Sequence, residues 1–245
     1  MTKKILIGLV IVLALAGAGF VIWASIAQGP SQEALAVMKN DGNGVVIESQ
    51  AAWTVFRPQT GQPSTGFIFY PGGRVDYRSY APLLSDIAAK GYEVVLAPMP
   101  LNLAIFGVEK AGEVIAAFPQ VKIWAIGGHS LGGAMAAQYV INHPGAVQGL
   151  VLWAAYPPSL MIGRSDLKIL LVSGSKDGLA TPATIEASHL LLPDSTIYVI
   201  IEGGNHGQFG SYGDQPGDYP ATIPPADQWR QTVDATVNLL AELRK

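Results

Sequence analysis

Six short apolar runs alternate along the chain with stretches of helical periodicity, and this alternation constrains the fold more than any other feature. Each run contains consecutive apolar residues, which is typical of strands covered on both faces of a parallel sheet. The runs are Gly66–Tyr70, Tyr92–Ala97, Lys122–Ile126, Gly149–Ala154, Lys168–Val172 and Thr196–Ile201. Their order predicts one doubly wound α/β domain, with a mostly parallel sheet and helices on both faces. A ligand is then expected at the carboxyl ends of the strands.

The N-terminus carries a stretch of 23 residues, Ile5–Ala27, without any charged side chain. As a helix it is about 34 Å long, enough to cross a hydrocarbon core of about 30 Å. The apolar core of a signal peptide is shorter, although Ser25 and Ala27 offer the small residues that a signal peptidase reads. We predict a transmembrane anchor or signal segment over residues 1–27, a linker over residues 28–43 and the α/β domain over residues 44–245.

The positive charges beside this stretch predict its orientation. Lys3 and Lys4 precede it, and the next basic residue is Lys39. Basic residues are retained on the cytoplasmic side of a membrane. Residues 28–245 are therefore expected outside the cytoplasm, either anchored to the membrane or exported after signal cleavage.

Composition and missing motifs exclude several classes of function. Without Lys3 and Lys4 the chain has 13 basic and 18 acidic residues, a net charge of −5, so no nucleic-acid partner is expected. The chain has no cysteine, which excludes a disulfide framework, a thiolate metal site and a cysteine nucleophile. Nucleotide, dinucleotide and zinc-peptidase motifs do not occur, so neither a cofactor nor a metal is expected. Asp214 and Asp218 are interpreted as part of a solvated loop, with a calcium site as the alternative.

A G-x-S-x-G pattern, Gly128–Gly132, follows the strand Lys122–Ile126 directly and runs into a helix. A nucleophile elbow requires this strand–turn–helix context, because the sharp turn exposes the serine. Small neighbours let strand and helix approach closely. The flanking glycines are Gly127, Gly128, Gly132 and Gly133. Ser130 is the candidate nucleophile.

A serine hydroxyl needs a base within hydrogen-bond reach. His206 follows the strand Thr196–Ile201 at the carboxyl end of the predicted sheet and is the candidate base. His129 lies inside the elbow and is expected to point away from the serine. His143 is assigned to a helix end with a structural role, and His189 lies within a predicted helix.

The base in turn needs a carboxylate that orients it. Asp177 follows the strand Lys168–Val172 and is the candidate acid. Asp194 is the main alternative, but it lies in a turn that enters a strand at the opposite end of the sheet. The order Ser130, Asp177, His206 places the three roles at three carboxyl strand ends.

The tetrahedral intermediate of acyl transfer needs two amide donors. One is expected to be the N–H of Leu131, the residue after the candidate nucleophile. The other is expected from Pro71–Arg74, the loop after the strand Gly66–Tyr70.

These motifs resemble the α/β-hydrolase superfamily, in particular its compact, lidless dienelactone-hydrolase-like and carboxylesterase-like members, over about residues 44–244. Pro71–Arg74 followed by Tyr80–Pro82 is similar to the oxyanion loop and the later Trp-x-Pro of the family. The resemblance implies that Gly73 is the second oxyanion donor. Pro71 replaces the usual histidine of that loop. Ser130 replaces the cysteine of true dienelactone hydrolases and the aspartate of haloalkane dehalogenases, so neither activity is expected.

Members of the superfamily often carry a cap domain between the sixth and seventh strands. The interval Ala155–Leu167 has 13 residues here, too few for a helical cap, so no sizeable cap and an open site are expected. Phe106 and Tyr156 are candidate walls of an acyl pocket, with core packing as the alternative role.

We therefore predict a serine hydrolase that cleaves carboxylic esters or similar small acyl substrates through an acyl-enzyme. An acyltransferase or a peptidase on the same triad, and a non-catalytic binding protein of the same fold, are the alternatives. The expected partners are a small-molecule acyl or ester substrate and, through residues 5–27, a membrane.

Overall fold

The computed structural model describes residues 2–39, 44–159 and 167–244. Eight strands and seven α-helices lie within these residues. The strands are β1 (Val45–Ser49), β2 (Thr54–Pro58), β3 (Thr65–Tyr70), β4 (Glu93–Leu96), β5 (Ile123–His129), β6 (Gly149–Trp153), β7 (Lys168–Gly174) and β8 (Ile197–Ile201). The helices are α1 (Thr2–Ser25), α2 (Gln32–Val37), α3 (Ala81–Ala89), α4 (Lys110–Ala117), α5 (Leu131–Asn142), α6 (Pro182–Ser188) and α7 (Pro225–Glu242).

The strands form one sheet in the order β1-β2-β4-β3-β5-β6-β7-β8. β2 pairs antiparallel with both β1 and β4, and all other neighbouring strands are parallel. Every residue of β3, β4 and β6 is buried, as the continuous apolar runs predicted. The mostly parallel sheet of the sequence analysis is confirmed.

The direction of the sheet reverses after β4, and this reversal distributes the helices over both faces. The connection from β3 to β4 runs one way across the sheet, and the connections from β4 to β5 and from β5 to β6 run the other way. Because parallel crossovers are right-handed, α3 covers one face while α4 and α5 cover the other. α7 packs against α3 and shares its face.

α1 is the one helix in the described chain that is long and apolar enough to cross a membrane. Its stretch Ile5–Ser25 has a mean hydropathy of 2.9, and residues 5–23 are exposed. Among the described residues, α1 touches the domain through its C-terminal part, from Phe20 onward. Ala24 is buried there, and its carbonyl oxygen accepts a hydrogen bond from Asn102 Nδ2 at 3.3 Å.

The segment predicted as a linker contains the short helix α2 and packs on the domain. Ser31 caps α2, and the Ser31 N–H donates to the carbonyl oxygen of Ser211 at 2.7 Å. Ala34 in α2 is fully buried. Residues 40–43 of this segment lie outside the described residues, as do residues 160–166 of the interval between β6 and β7. The described part of that interval, residues 155–159 and 167, contains no helix.

Candidate active site

Ser130 occupies the turn between β5 and α5 with a strained backbone, at φ 52° and ψ −123°. A positive φ is unfavourable for a residue with a side chain and is frequent at active sites. The turn is possible because Gly128 and Gly132 lie against the backbone of β3. A Cβ atom on either glycine would collide with the carbonyl oxygen of Tyr70. The local sequence thus allows the sharp turn that exposes the Ser130 side chain.

Asp177 and His206 form a buried pair, with Asp177 Oδ2 2.8 Å from His206 Nδ1. The other carboxylate oxygen, Asp177 Oδ1, accepts the N–H groups of Leu179 at 2.8 Å and Ala180 at 2.7 Å. These bonds fix the carboxylate, and the carboxylate fixes the imidazole ring. His206 Nε2 is buried and has no hydrogen-bond partner within the described residues.

Ser130 and His206 line the same open pocket of about 350 Å³. Its other walls are mostly apolar: Leu131, Ala134, Ala154, Ala155, Tyr156, Pro158, Leu179 and Ala180. Tyr156, a predicted wall, is among them. Phe106 is not, because its ring contacts the ring of Phe20 in α1 with centroids 6.2 Å apart.

The two residues that carry the predicted amide donors are in contact. Leu131 is the first residue of α5, so its N–H has no acceptor within the helix. A Cβ atom on Gly73 would lie only 3.0 Å from Leu131 Cδ2, so the loop after β3 passes directly beside the elbow. Within the described chain the N–H of Gly73 makes no hydrogen bond.

Tyr80 connects this loop to the elbow. The Gly72 N–H donates to the Tyr80 hydroxyl at 3.0 Å, and the hydroxyl lies 2.9 Å from His129 Nδ1. Because the hydroxyl accepts from the amide, its own proton is available for Nδ1, and His129 is then a neutral ring with its proton on Nε2. Burial, and then the charge of neighbouring His206, lower the pKa of His129 well below its ordinary value.

Asp218 was assigned to a solvated loop, but the structure gives it three hydrogen bonds. Its Oδ1 accepts the Gly178 N–H and its Oδ2 the Gly207 N–H, both at 2.8 Å, and Oδ1 also accepts the Tyr219 N–H at 2.9 Å. Gly178 follows the candidate acid and Gly207 follows the candidate base. Asp218 therefore connects the loop after β7 to the loop after β8. The only signal of this role in the sequence is that Asp218 follows His206 in the same loop.

Gln228 in α7 was also missed. Its fully buried side chain makes two hydrogen bonds to the backbone of Asn205, at 3.0 and 2.8 Å. Asn205 immediately precedes the candidate base, so α7 helps to position it.

The other ionisable residues considered from the sequence lie elsewhere. His143 Nε2 is 2.6 Å from Glu109 Oε2 at an exposed helix end. The ring of His189 packs on Tyr198 with centroids 3.9 Å apart. Asp194 is exposed in the turn before β8, at the end of the sheet away from Ser130.

The sheet order and the strand–serine–helix turn place this chain in the class of α/β-hydrolase folds. A comparison with protein families agrees, because the model described as "Alpha/beta hydrolase family" matches residues 66–230, which are 165 of the 245 residues. The chain belongs to the alpha/beta hydrolase family. No curated protein matches it.

Solved structures share the fold at low sequence identity. The thermophilic esterase Est2 from the Planctomycetes species Thermogutta terrifontis has a TM-score of 0.58 and 14% identity, covering 81% of this chain and 92% of its own. A membrane phospholipase A, described as a bacterial virulence factor, has a TM-score of 0.57 and 16% identity, covering 96% of this chain and 99% of its own. A predicted CIB-like hydrolase from Thermoplasma acidophilum has a TM-score of 0.52 and 20% identity, covering 80% of this chain and 100% of its own.

Proposed function

We propose that this protein is a membrane-anchored serine hydrolase that cleaves carboxylic esters through an acyl-enzyme. The observation that carries the proposal is the strained Ser130 turn opening into the same pocket as the unpartnered Nε2 of the buried His206–Asp177 pair. The fold shared with an esterase and a phospholipase supports an ester substrate.

In the first half of the reaction, Ser130 Oγ attacks the carbonyl carbon of the ester while its proton moves to His206 Nε2. Asp177 stabilises the imidazolium that forms, because its carboxylate already holds Nδ1. Collapse of the tetrahedral intermediate breaks the bond to the alcohol oxygen. His206 gives its proton to that oxygen, so the alcohol leaves and the acyl group remains on Ser130.

In the second half, a water molecule attacks the acyl carbon and gives a proton to His206. The carboxylic acid then leaves as the bond to Ser130 Oγ breaks, and the proton returns to that oxygen. The N–H groups of Leu131 and Gly73 hold the oxyanion in both intermediates, where a single donor is worth about 10²–10³ in kcat. The apolar pocket beside Ser130 receives the acyl chain.

We further propose that α1 is an uncleaved anchor and that the catalytic domain lies outside the cytoplasm. The cleavage position after Ala27 lies within a folded contact, since the Gln28 N–H donates to the carbonyl oxygen of Arg74 at 2.8 Å. Trp23 and Ala24, which a cleavage would remove, also contact the domain. Lys3 and Lys4 lie in the first turn of α1, before its apolar stretch, and favour a cytoplasmic N-terminus.

The function is tested by hydrolysis of p-nitrophenyl butyrate by the full chain in detergent. Ser130→Ala is expected to reduce kcat by about 10³-fold or more while the circular dichroism spectrum stays unchanged. Ser64→Ala is the matched control, because Ser64 is exposed at the opposite end of the sheet, just before β3. Activity of Ser130→Ala within a few-fold of the control would refute the proposal.

A further inference from the structure

The end of α1 is attached directly to the loop that carries the candidate oxyanion donor. Arg74, the neighbour of Gly73, places its guanidinium 4.4 Å from the ring centroid of Trp23 and donates from Nε to the carbonyl oxygen of Ile26 at 3.2 Å. The Asp76 N–H donates to the carbonyl oxygen of Gln28 at 2.9 Å. The loop after β3 therefore lies where the anchor leaves the membrane.

A second loop beside the site runs back along α1. The Asn102 carbonyl oxygen accepts the Arg74 N–H at 2.8 Å, and Phe106 at the end of this loop contacts Phe20. Phe20 lies five residues before the end of α1, so it is about 7.5 Å deeper along the helix axis. Interfacial elements bury their apolar face about 5–10 Å into a membrane. Phe106 is therefore at the depth of the acyl-chain boundary if α1 spans the bilayer.

Exposed apolar side chains surround this junction and form what we call the anchor-end patch: Trp23, Ile26, Ile105 and Phe106. About half or more of each side chain is exposed, from 47% for Ile105 to 62% for Ile26. A tryptophan and an arginine at the same level are typical of the membrane–water interface. The patch continues the apolar surface of α1, which identifies lipid as its cover.

The end of α1 and the candidate site have a common neighbour, the loop after β3. A cavity of about 360 Å³ is lined by Ile26 and Gln28 on one side and by Gly73 and Arg74 on the other. Gly73 also borders the elbow, through its contact with Leu131. Leu131 in turn lines the Ser130 pocket, so the contact of Gly73 with Leu131 lies between this cavity and the candidate site.

We propose that the active site faces the membrane spanned by α1, and that its substrates are carboxylic esters whose acyl chains reside in that bilayer. The inference rests on the proposed function. An acyl chain then passes from the bilayer to the apolar pocket at Ser130 without crossing bulk water, and the chemistry is the two-step ester hydrolysis given above.

The test uses the full chain reconstituted into dioleoylphosphatidylcholine vesicles that contain monooleoylglycerol, with released oleate as the readout. Ile105→Glu puts a charge into the anchor-end patch and is expected to lower oleate release at least tenfold, and Ile105→Ser by less. Hydrolysis of soluble p-nitrophenyl butyrate is expected to stay within twofold for both variants. Leu190→Glu is the matched control, since Leu190 is 84% exposed at the opposite end of the sheet, and it is expected to change neither activity.

Equal oleate release by Ile105→Glu and wild type would overturn the inference, as would wild-type protein that cleaves p-nitrophenyl butyrate but releases no oleate. A concentration-dependent dimer that buries Ile105, with oleate release unaffected by the substitution, would assign the patch to a second copy of the chain instead. Failure of wild type to cleave either ester would refute the proposed function itself.

Discussion

At the scale of single residues, the hydroxyl of Tyr80 holds the candidate oxyanion loop against the elbow. It accepts the Gly72 N–H and bonds to His129 Nδ1, and all of these atoms are buried. The donor at Gly73 acts in the transition state, so a small displacement of the loop affects kcat more than KM. Tyr80 is thus a positioning residue in the proposed mechanism.

Tyr80→Phe is expected to lower kcat about tenfold with little change in KM. It also leaves the Gly72 N–H and His129 Nδ1 without partners, at about 1–3 kcal/mol each in stability. Tyr70→Phe is the control. The Tyr70 hydroxyl also makes two hydrogen bonds, to the carbonyl oxygen of Val108 and the N–H of Ala111, but away from the loop. Tyr70→Phe should lower the free energy of unfolding in urea by a similar amount and leave kcat unchanged. Equal losses of kcat in Tyr70→Phe and Tyr80→Phe would contradict the positioning role of Tyr80.

The lowered pKa of His129 predicts how stability depends on pH. The folded protein keeps the ring neutral, whereas the unfolded chain takes up a proton below about pH 6.5. The stability contributed by His129 is therefore complete above that pH and is lost as the pH falls, by about 1.4 kcal/mol per pH unit. His129→Gln cannot take up this proton. Between pH 7.5 and 5.5 wild type should lose more unfolding free energy than the variant, by up to about 1.4 kcal/mol, and equal losses would disprove the assignment.

Sequence patterns indicated the candidate residues that directly follow a strand. They missed residues whose contacts lie far away in the sequence. Ser130, Asp177 and His206 each follow a recognisable strand, so their places at one edge of the sheet could be inferred. Tyr80 could be aligned with a family motif, but its bond to His129 spans 49 positions and leaves no local pattern. Phe106 is a candidate pocket wall from the sequence because it lies in the loop after β4, and no sequence pattern shows that α1 lies beside this loop.

At the scale of elements, the loop after β8 depends on its neighbours for its shape. Asp218 joins it to the loop after β7, and Gln228 of α7 holds the backbone just before His206. A histidine on a loop needs such support, because a displacement of about 1 Å can reduce the rate about 10²-fold.

Asp218→Asn is expected to lower kcat about tenfold, because the amide has one acceptor oxygen in place of two and loses the bond to Gly178 or Gly207. Asp214→Asn serves as the control, since the exposed Asp214 carboxylate makes no hydrogen bond within the described residues. Its kcat should stay within twofold of wild type. Steady-state kinetics on p-nitrophenyl butyrate measures both, and an unchanged kcat for Asp218→Asn would show that the loops hold their places without this bond.

Strands were easier to predict than short packed segments. Continuous apolar runs identified β3 to β8, because strands covered on both faces are mostly apolar. β8 has such a run although it lies at the edge of the sheet and is partly exposed. α2 was interpreted as part of a linker, since its six residues are too few to show a helical period. It is stabilised by packing on α3, a contact across 44 or more positions that no local pattern encodes.

At the scale of the whole molecule, α1, the proposed anchor, and the domain are joined by folded contacts. The last turn of α1 contacts both loops beside the candidate site, through Trp23 and Ala24. In the proposed topology, this attachment fixes the orientation of the domain relative to the bilayer. Membrane location and substrate choice are thereby coupled in the proposed function.

The full chain is expected in the membrane fraction and should resist extraction by high salt, because hydrocarbon and not charge holds α1. Protease added outside spheroplasts should remove the catalytic domain, as Lys3 and Lys4 place the N-terminus inside. Immunoblots of the fractions measure both. Soluble exported protein that begins at Gln28 would instead show a cleaved signal, and a domain protected in the cytoplasm would contradict both topologies.

The most direct test of the central claim is the site of reaction with a fluorophosphonate, located by peptide mass spectrometry. The proposed mechanism predicts one adduct, on Ser130, that forms in wild type, forms much more slowly in His206→Ala and is absent from folded Ser130→Ala. An adduct on another serine, or equal labelling of wild type and Ser130→Ala, would contradict the assignment of Ser130 as the nucleophile.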